Sequence, residues 1–121
     1  MHYDSENIFA RILRGEIPCN KVYEDEYALA FYDIAPHAPT HILVIPKGPY
    51  VSLFDFGKYA SSEELNGFWR AVSVISEERN LVQDGFRAIS NSGADAGQEV
   101  PHFHVHLLAG TPLGPILSKK M

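Results

Sequence analysis

The 121-residue chain is 45% hydrophobic and 21% charged, proportions that exclude a disordered chain. Ten Lys and Arg against fifteen Asp and Glu give a net charge of −5, which excludes polyanion binding by bulk charge and leaves no nucleic-acid partner to expect. The one cysteine, Cys19, excludes an internal disulfide and any multi-cysteine metal cluster.

No apolar run approaches the roughly 20 residues of a membrane helix, and the opening Met1–Glu6 lacks a basic segment followed by an apolar one. The expectation is a single cytoplasmic domain over residues 1–121, with its core over about 7–110 and an irregular tail over 111–121. Glu6–Arg14 is the first periodic segment. Ile8, Phe9, Ile12 and Leu13 share a helical stripe, Asp4 or Ser5 can cap it, and Gly15 stands where it ends. Lys21–Asp25 and Ala28–Ile34 read as strands joined by an acidic turn, rich in residues that favour a pleated surface. After a loop framed by Pro36 and Pro39, Thr40–Pro46 is a near-continuous apolar strand expected at the centre of a sheet. Lys47–Ala60, with its Gly, Pro and Tyr, is expected to be loop. Ser61 with Glu64 forms a capping box, and Leu65, Phe68, Trp69, Val72 and Ile75 then mark a helix from Ser62 to about Asn80. Phe86–Asn91 and His102–Ala109 complete the strands, with a glycine-bearing polar loop, Asn91–Gln98, between them. Strands dominate over two helices, so the class is α+β with a mostly antiparallel sheet.

The chemistry concentrates in the last strand. His102, His104 and His106 alternate with Phe103, Val105 and Leu107. Alternate strand residues share a face at roughly 6.5–7 Å spacing, so three imidazoles line one face and three apolar side chains bury into the other. Core packing does not account for such a row. His2, terminal, and His37, in a Pro-flanked loop, read as solvated bystanders. Two functions compete for the row. Histidines at i, i+2 on a strand can converge on zinc, although no carboxylate–histidine set is evident nearby. Alternatively, a neutral imidazole can attack phosphorus and later leave. The run from Asn91 to Val100 would then offer main-chain N–H groups to the phosphoryl oxygens, because its glycines permit close backbone approach.

Gly97-Gln98-Glu99-Val100-Pro101-His102-Phe103-His104-Val105-His106-Leu107-Leu108 resembles the signature of the histidine-triad (HIT) superfamily. Ile8-Phe9, Gly15-Glu16-Ile17-Pro18, Ala30–Ile34, Ala38–His41, Leu43–Lys47 and Pro112–Pro115 are similar to blocks of its Hint branch, in the same order, across about residues 7–117. The resemblance implies a five-stranded antiparallel sheet with two helices, pairing into a ten-stranded sheet in a homodimer. It implies hydrolysis of the P–N bond of purine nucleoside 5′-phosphoramidates through a nucleotidyl-histidine, with no metal and no cofactor. His104 is then the nucleophile, His102 and His106 its flanking imidazoles, and His41 a neighbouring orienter. Asn91, Gly97, Gln98 and the backbone of Glu99 and Val100 fall at phosphate-contacting positions. Asp33, followed by Ile34, falls at the ribose position, where a carboxylate accepts from a diol. Ile8, Phe9, Phe31, Tyr32 and Leu43 fall at the purine pocket.

The chain also departs from its relatives. Asn7-Ile8-Phe9-Ala10 stands where many carry a zinc-binding Cys-x-x-Cys, so that zinc is expected to be absent. Glu99 replaces a serine of animal members, and its side chain is expected to turn away from a phosphate. Ala109-Gly110-Thr111 replaces the usual Gly-Gly-Arg. Pro101 just before the triad is similar to the Fhit branch, which leaves dinucleoside polyphosphate hydrolysis as one alternative; a nucleotide-binding regulatory module with incidental catalysis, served by the same pocket, is another.

Overall fold

The computed structural model describes residues 2–117; Met1 and the last part of the expected irregular tail, 118–121, lie outside the described residues. Helix α1 (Ile8–Leu13) leads into strands β1 (Lys21–Glu24), β2 (Ala28–Tyr32) and β3 (Thr40–Pro46). Helices α2 (Leu53–Tyr59) and α3 (Ser62–Glu78) follow, then β4 (Arg87–Ile89) and β5 (Val105–Ala109). Every strand pair is antiparallel, and the five strands lie in the order β1-β2-β3-β5-β4. The long apolar strand β3 sits at the centre, as its composition predicts.

Strand alternation divides the core in two. On one face Ala28 and Ala30 of β2, Ile42 and Val44 of β3, and Val105 and Leu107 of β5 pack under Phe68, Ala71, Val72 and Ile75 of α3. Those four helical residues recur at the i, i+3, i+4, i+7 spacing of a buried stripe. Phe103 joins them, its ring stacked on Phe56 of α2 at 4.8 Å and tilted against Phe68 at 5.2 Å. Gly67 is required here, because a Cβ would collide with the Tyr27 ring lying across α3. On the other face Leu29, Phe31, Leu43 and Ile45 pack against Phe9 of α1.

Three elements differ from expectation. Lys47–Ala60 contains α2, nucleated by a capping box in which Asp55 accepts from the Ser52 main-chain N–H at 2.6 Å. Helix α1 is capped by buried Asn7, whose Oδ1 accepts from the Ala10 N–H at 2.9 Å, rather than by Asp4 or Ser5. Strand β5 begins at Val105, because its ladder with β3 starts at the Val44–Val105 pair. His102–His104 run beyond that ladder, yet their side chains keep alternating between the two faces. No helix among the described residues is long and apolar enough to cross a membrane.

Candidate active site

The four histidines gather on the face carrying α1. His41 lies on β3 and His106 on β5, in the register that sets Leu43 opposite His106. His102 and His104 continue from β5 beneath the Phe9 ring, which meets His104 edge-on at 5.0 Å. His102 is fully buried and His104 only 7% exposed.

The hydrogen bonds dictate where each imidazole carries its proton, since a carbonyl can only accept and a main-chain N–H can only donate. Nδ1 of His104 lies 2.7 Å from the His102 carbonyl, so Nδ1 is the donor and Nε2 keeps its lone pair. Nε2 of His102 lies 3.0 Å from the Pro46 carbonyl, so it donates there, and Nδ1 accepts from the Tyr3 hydroxyl at 2.6 Å. The main-chain N–H of His37 donates to Nδ1 of His41 at 3.0 Å. His41 therefore carries its proton on Nε2, which lies 2.9 Å from Nδ1 of His106. His106 accepts at Nδ1 and holds its own proton on Nε2.

Burial keeps these rings neutral. Desolvation holds His102 down at about 4, and desolvation together with the nearby His104 and His41 holds His106 at about 4. Desolvation also lowers His104 and His41, with Asp33 opposing the shift at both. A neutral His104 with an uncommitted Nε2 has the lone pair that nucleophilic attack needs.

A cleft of about 270 Å³ opens beside His104 and His106, with Phe9, Leu43 and Val100 as its apolar wall. Asp33, His37, Asn91, Gly97 and Glu99 also line it. The Asp33 carboxylate accepts from the Ala35 N–H at 2.8 Å and approaches Nε2 of His41 at 3.4 Å. Around the glycine-bearing loop, the N–H groups of Gly97 and Gln98 are spent on Ala94 and Gly93 carbonyls. Those of Glu99 and Val100 have no hydrogen-bond partner among the described residues, and they are donors available to an anion.

Not every residue singled out from the sequence reaches the cleft. Phe31 lies beneath Phe9, buried in the same cluster. Tyr32 is on the opposite face of the sheet, packed toward α3 with its ring under the Arg79 guanidinium. Adjacent strand residues point to opposite faces, so Phe31 and Tyr32 cannot share a pocket. Ile8 is 45% exposed while Phe9 is buried, and Ile34 follows the end of β2 with 98% exposure. Gln98 turns its carboxamide inward, accepting from Gly93 N–H at 2.9 Å and donating to the Val51 and Val100 carbonyls at 2.6 and 3.1 Å. Glu99 has an exposed residue position at the cleft rather than one turned into the protein. His37, read as a bystander, lines the cleft and orients His41 through its main chain. Neither that contact nor the Tyr3 hydroxyl leaves a signal in the sequence.

Asp33, His41 and His106 bring one ligand atom each within 4.8 Å of one another, a carboxylate–histidine set the sequence does not reveal. Their protons fit a metal poorly. With Nδ1 of His41 receiving the His37 N–H, the proton occupies Nε2, the atom a metal would require.

The HIT domain model matches residues 14–113. The chain is 56% identical over 117 residues to an uncharacterised 13.2 kDa HIT-like protein of Azospirillum brasilense, covering 97% of this chain and 96% of that one. It is 44% identical over 118 residues to the purine nucleoside phosphoramidase of Escherichia coli, covering 95% and 96%. The solved HIT family hydrolase of Clostridium thermocellum superimposes with a TM-score of 0.85 at 36% identity, over 94% of this chain and 99% of that one.

Proposed function

The chain belongs to the HIT family, and from that premise we propose that it is a phosphoramidase, hydrolysing the P–N bond of purine nucleoside 5′-phosphoramidates in the cytoplasm. The observation that carries this reading is the 2.7 Å hydrogen bond from Nδ1 of His104 to the His102 carbonyl. It leaves a neutral, lone-pair-bearing Nε2 at a cleft that Glu99 and Val100, whose main-chain N–H groups are unpartnered among the described residues, also line. The activity named for the 44% identical Escherichia coli protein supports phosphorus–nitrogen bonds as the substrate.

In this reading Nε2 of His104 attacks the α-phosphorus and the P–N bond breaks, leaving a nucleotidyl-His104 imidazolium. The Nδ1–H bond to the His102 carbonyl stabilises that cation. The departing amine takes its proton from a solvent water in the open cleft, while His106, with Nε2–H at the cleft and His41 behind it, hydrogen-bonds to it. A second water then attacks phosphorus and gives its proton back to solvent, which restores the one the amine took; His104 is expelled as the neutral imidazole and the nucleoside monophosphate is released. Overall, water supplies hydroxyl to phosphorus and hydrogen to the amine. The loop from Asn91 to Val100 binds the phosphate, Asp33 accepts from the ribose hydroxyls, and Phe9 and Leu43 flank the purine. No step requires a metal or cofactor.

We extend the proposal to a homodimer. Trp69 and Val74 are exposed on α3, Phe86 is exposed beside β4, and β4 closes the sheet with its outer edge unpaired among the described residues. Such an edge invites pairing with a second copy.

The test is AMP release from adenosine 5′-phosphoramidate with EDTA present, parent against His104→Ala, on a preparation whose light-scattering mass is twice that of the chain. The parent turns over and His104→Ala loses at least about 10³-fold while still binding AMP, as expected for a deleted nucleophile. Cleavage of diadenosine polyphosphates in preference to the phosphoramidate would move the assignment to the polyphosphate hydrolases. Binding without turnover of either would reduce the site to a nucleotide sensor.

A further inference from the structure

Tyr3 lies in the segment before α1, ninety-nine positions from the histidine it touches. Its hydroxyl is 2.6 Å from Nδ1 of His102, and its ring meets that imidazole edge-on at 5.6 Å. The direction of the bond is forced. Nε2 of His102 must donate to the Pro46 carbonyl, so Nδ1 is the acceptor and the phenol is the donor. Burial raises the Tyr3 hydroxyl above its ordinary value, which keeps that proton in place. The segment bearing Tyr3 is itself fastened, because Asn7 donates to the Asp4 carbonyl through both its main-chain N–H (3.2 Å) and its Nδ2 (2.8 Å).

The His102 ring therefore joins three separate pieces of chain: the segment before α1, the end of β3 at Pro46, and the run entering β5. That last piece is held outside any strand ladder, by the Phe103 N–H on the Tyr50 carbonyl at 2.7 Å, by the Ser90 hydroxyl on the His104 carbonyl at 2.9 Å and by the His102 ring. Residues 102–104 lie beyond the β3–β5 ladder, and the His102 carbonyl that receives the His104 Nδ1–H belongs to them. A ring held at both nitrogens restrains the peptide that aims His104. Phe9, which flanks both rings, adds only shape.

We propose that Tyr3 is a positioning residue for His104, acting through His102: its hydroxyl anchors the buried ring whose own carbonyl orients the nucleophile. This inference rests on the reading of His104 given above. It departs from the sequence, in which the first six residues carry no chemistry.

The test is Tyr3→Phe in the full chain, which keeps the aromatic ring and removes only the donor. Steady-state hydrolysis of adenosine 5′-phosphoramidate gives kcat and KM separately, and ¹⁵N–¹H long-range NMR of the ligand-free protein reads the imidazole nitrogens. We expect kcat to fall about five- to tenfold with KM within about twofold, the size of one lost hydrogen bond to a buried group. The Nδ1 resonance of His102 should move toward that of an unbonded ring nitrogen, and the Nδ1–H signal of His104 should broaden. Unchanged kcat with an unchanged His104 signal would overturn the proposal. So would a lower melting temperature with altered KM but parental ring-nitrogen signals, which is the behaviour of a purely structural contact. Failure of the parent to hydrolyse the phosphoramidate would instead count against the proposed reaction, and the two NMR signals would then decide the role of Tyr3 by themselves.

Discussion

His41 and His106 stand ring to ring on neighbouring central strands, Nε2 of the first 2.9 Å from Nδ1 of the second. The proton between them belongs to His41, because the main-chain N–H of His37 occupies that ring's other nitrogen. A loop amide thus determines which nitrogen of His106, on the strand next to β3, carries hydrogen at the cleft. The same logic operates at His104, where a carbonyl fixes the proton on Nδ1 and frees Nε2. Both assignments come from main-chain groups, which titration does not alter.

The pH dependence should carry the mark of this burial. His102 and His106 are held at about 4, and His104 and His41 are also lowered, all chiefly by desolvation. The acid limb of kcat/KM, set by the protonation of His104, should therefore lie below pH 6.5, the ordinary imidazole value. Stability follows with a definite sign. Between pH 6.5 and about 4 the unfolded chain binds a proton at His102 that the folded chain refuses. Its contribution is thus complete above pH 6.5 and is lost as the pH falls toward 4. For His102 alone the loss is about 3 kcal/mol. Urea unfolding at pH 7 and pH 5 checks it, with His102→Gln expected to flatten the difference. A parent whose unfolding midpoint is the same at both would contradict the neutral, buried assignment.

Gln98 should behave as a clamp on the phosphate-side loop rather than as a ligand for phosphate. Its carboxamide joins Gly93 to Val51 and Val100 with three hydrogen bonds. Gln98→Glu keeps the acceptor for Gly93 but cannot donate to either carbonyl. We expect it to raise the KM for the phosphoramidate about tenfold and to cost roughly 1–3 kcal/mol, the range for unpaired buried partners. Steady-state kinetics and a thermal melt measure both. A higher KM with undiminished stability would return Gln98 to direct contact with substrate.

Much of this is legible in the sequence. The apolar run Thr40–Pro46 became the central strand with the expected ends, and the stripe from Leu65 to Ile75 became α3. The alternation of His102, His104 and His106 with apolar residues placed the imidazoles on one face, although the ladder covers only the last of them. The failures have physical causes. Helix α2 is hidden in the sequence because its start depends on one Ser52–Asp55 capping box amid glycine, proline and tyrosine. The resemblance groups Tyr32 with Phe31 at the purine pocket, where the two-residue period of a strand separates them. The resemblance marks Asn7 as standing where relatives carry a zinc ligand, while its role as the cap of α1 depends on the fold. Contacts made by main chain, such as His37 on His41, or across ninety-nine residues, such as Tyr3 on His102, depend on tertiary structure alone.

Asp33 allows a sharper test of the nucleotide reading. One carboxylate oxygen accepts from the Ala35 N–H, and the other lies 3.4 Å from Nε2 of His41 at the edge of the cleft. A ribose diol donating to that carboxylate would contribute about one charge-assisted hydrogen bond. We expect Asp33→Ala to weaken AMP binding about tenfold or more, with 2′,3′-dideoxy-AMP almost unaffected, the signature of a lost bond to the ribose hydroxyls. Isothermal titration of both ligands makes the comparison. Asp33→Asn controls for the turn, since its side-chain oxygen still accepts from Ala35 while its charge is gone. If Asp33→Ala weakens both ligands equally and Asp33→Asn weakens neither, then Asp33 acts by shaping the loop that carries His37, and the ribose contact must be sought elsewhere in the cleft.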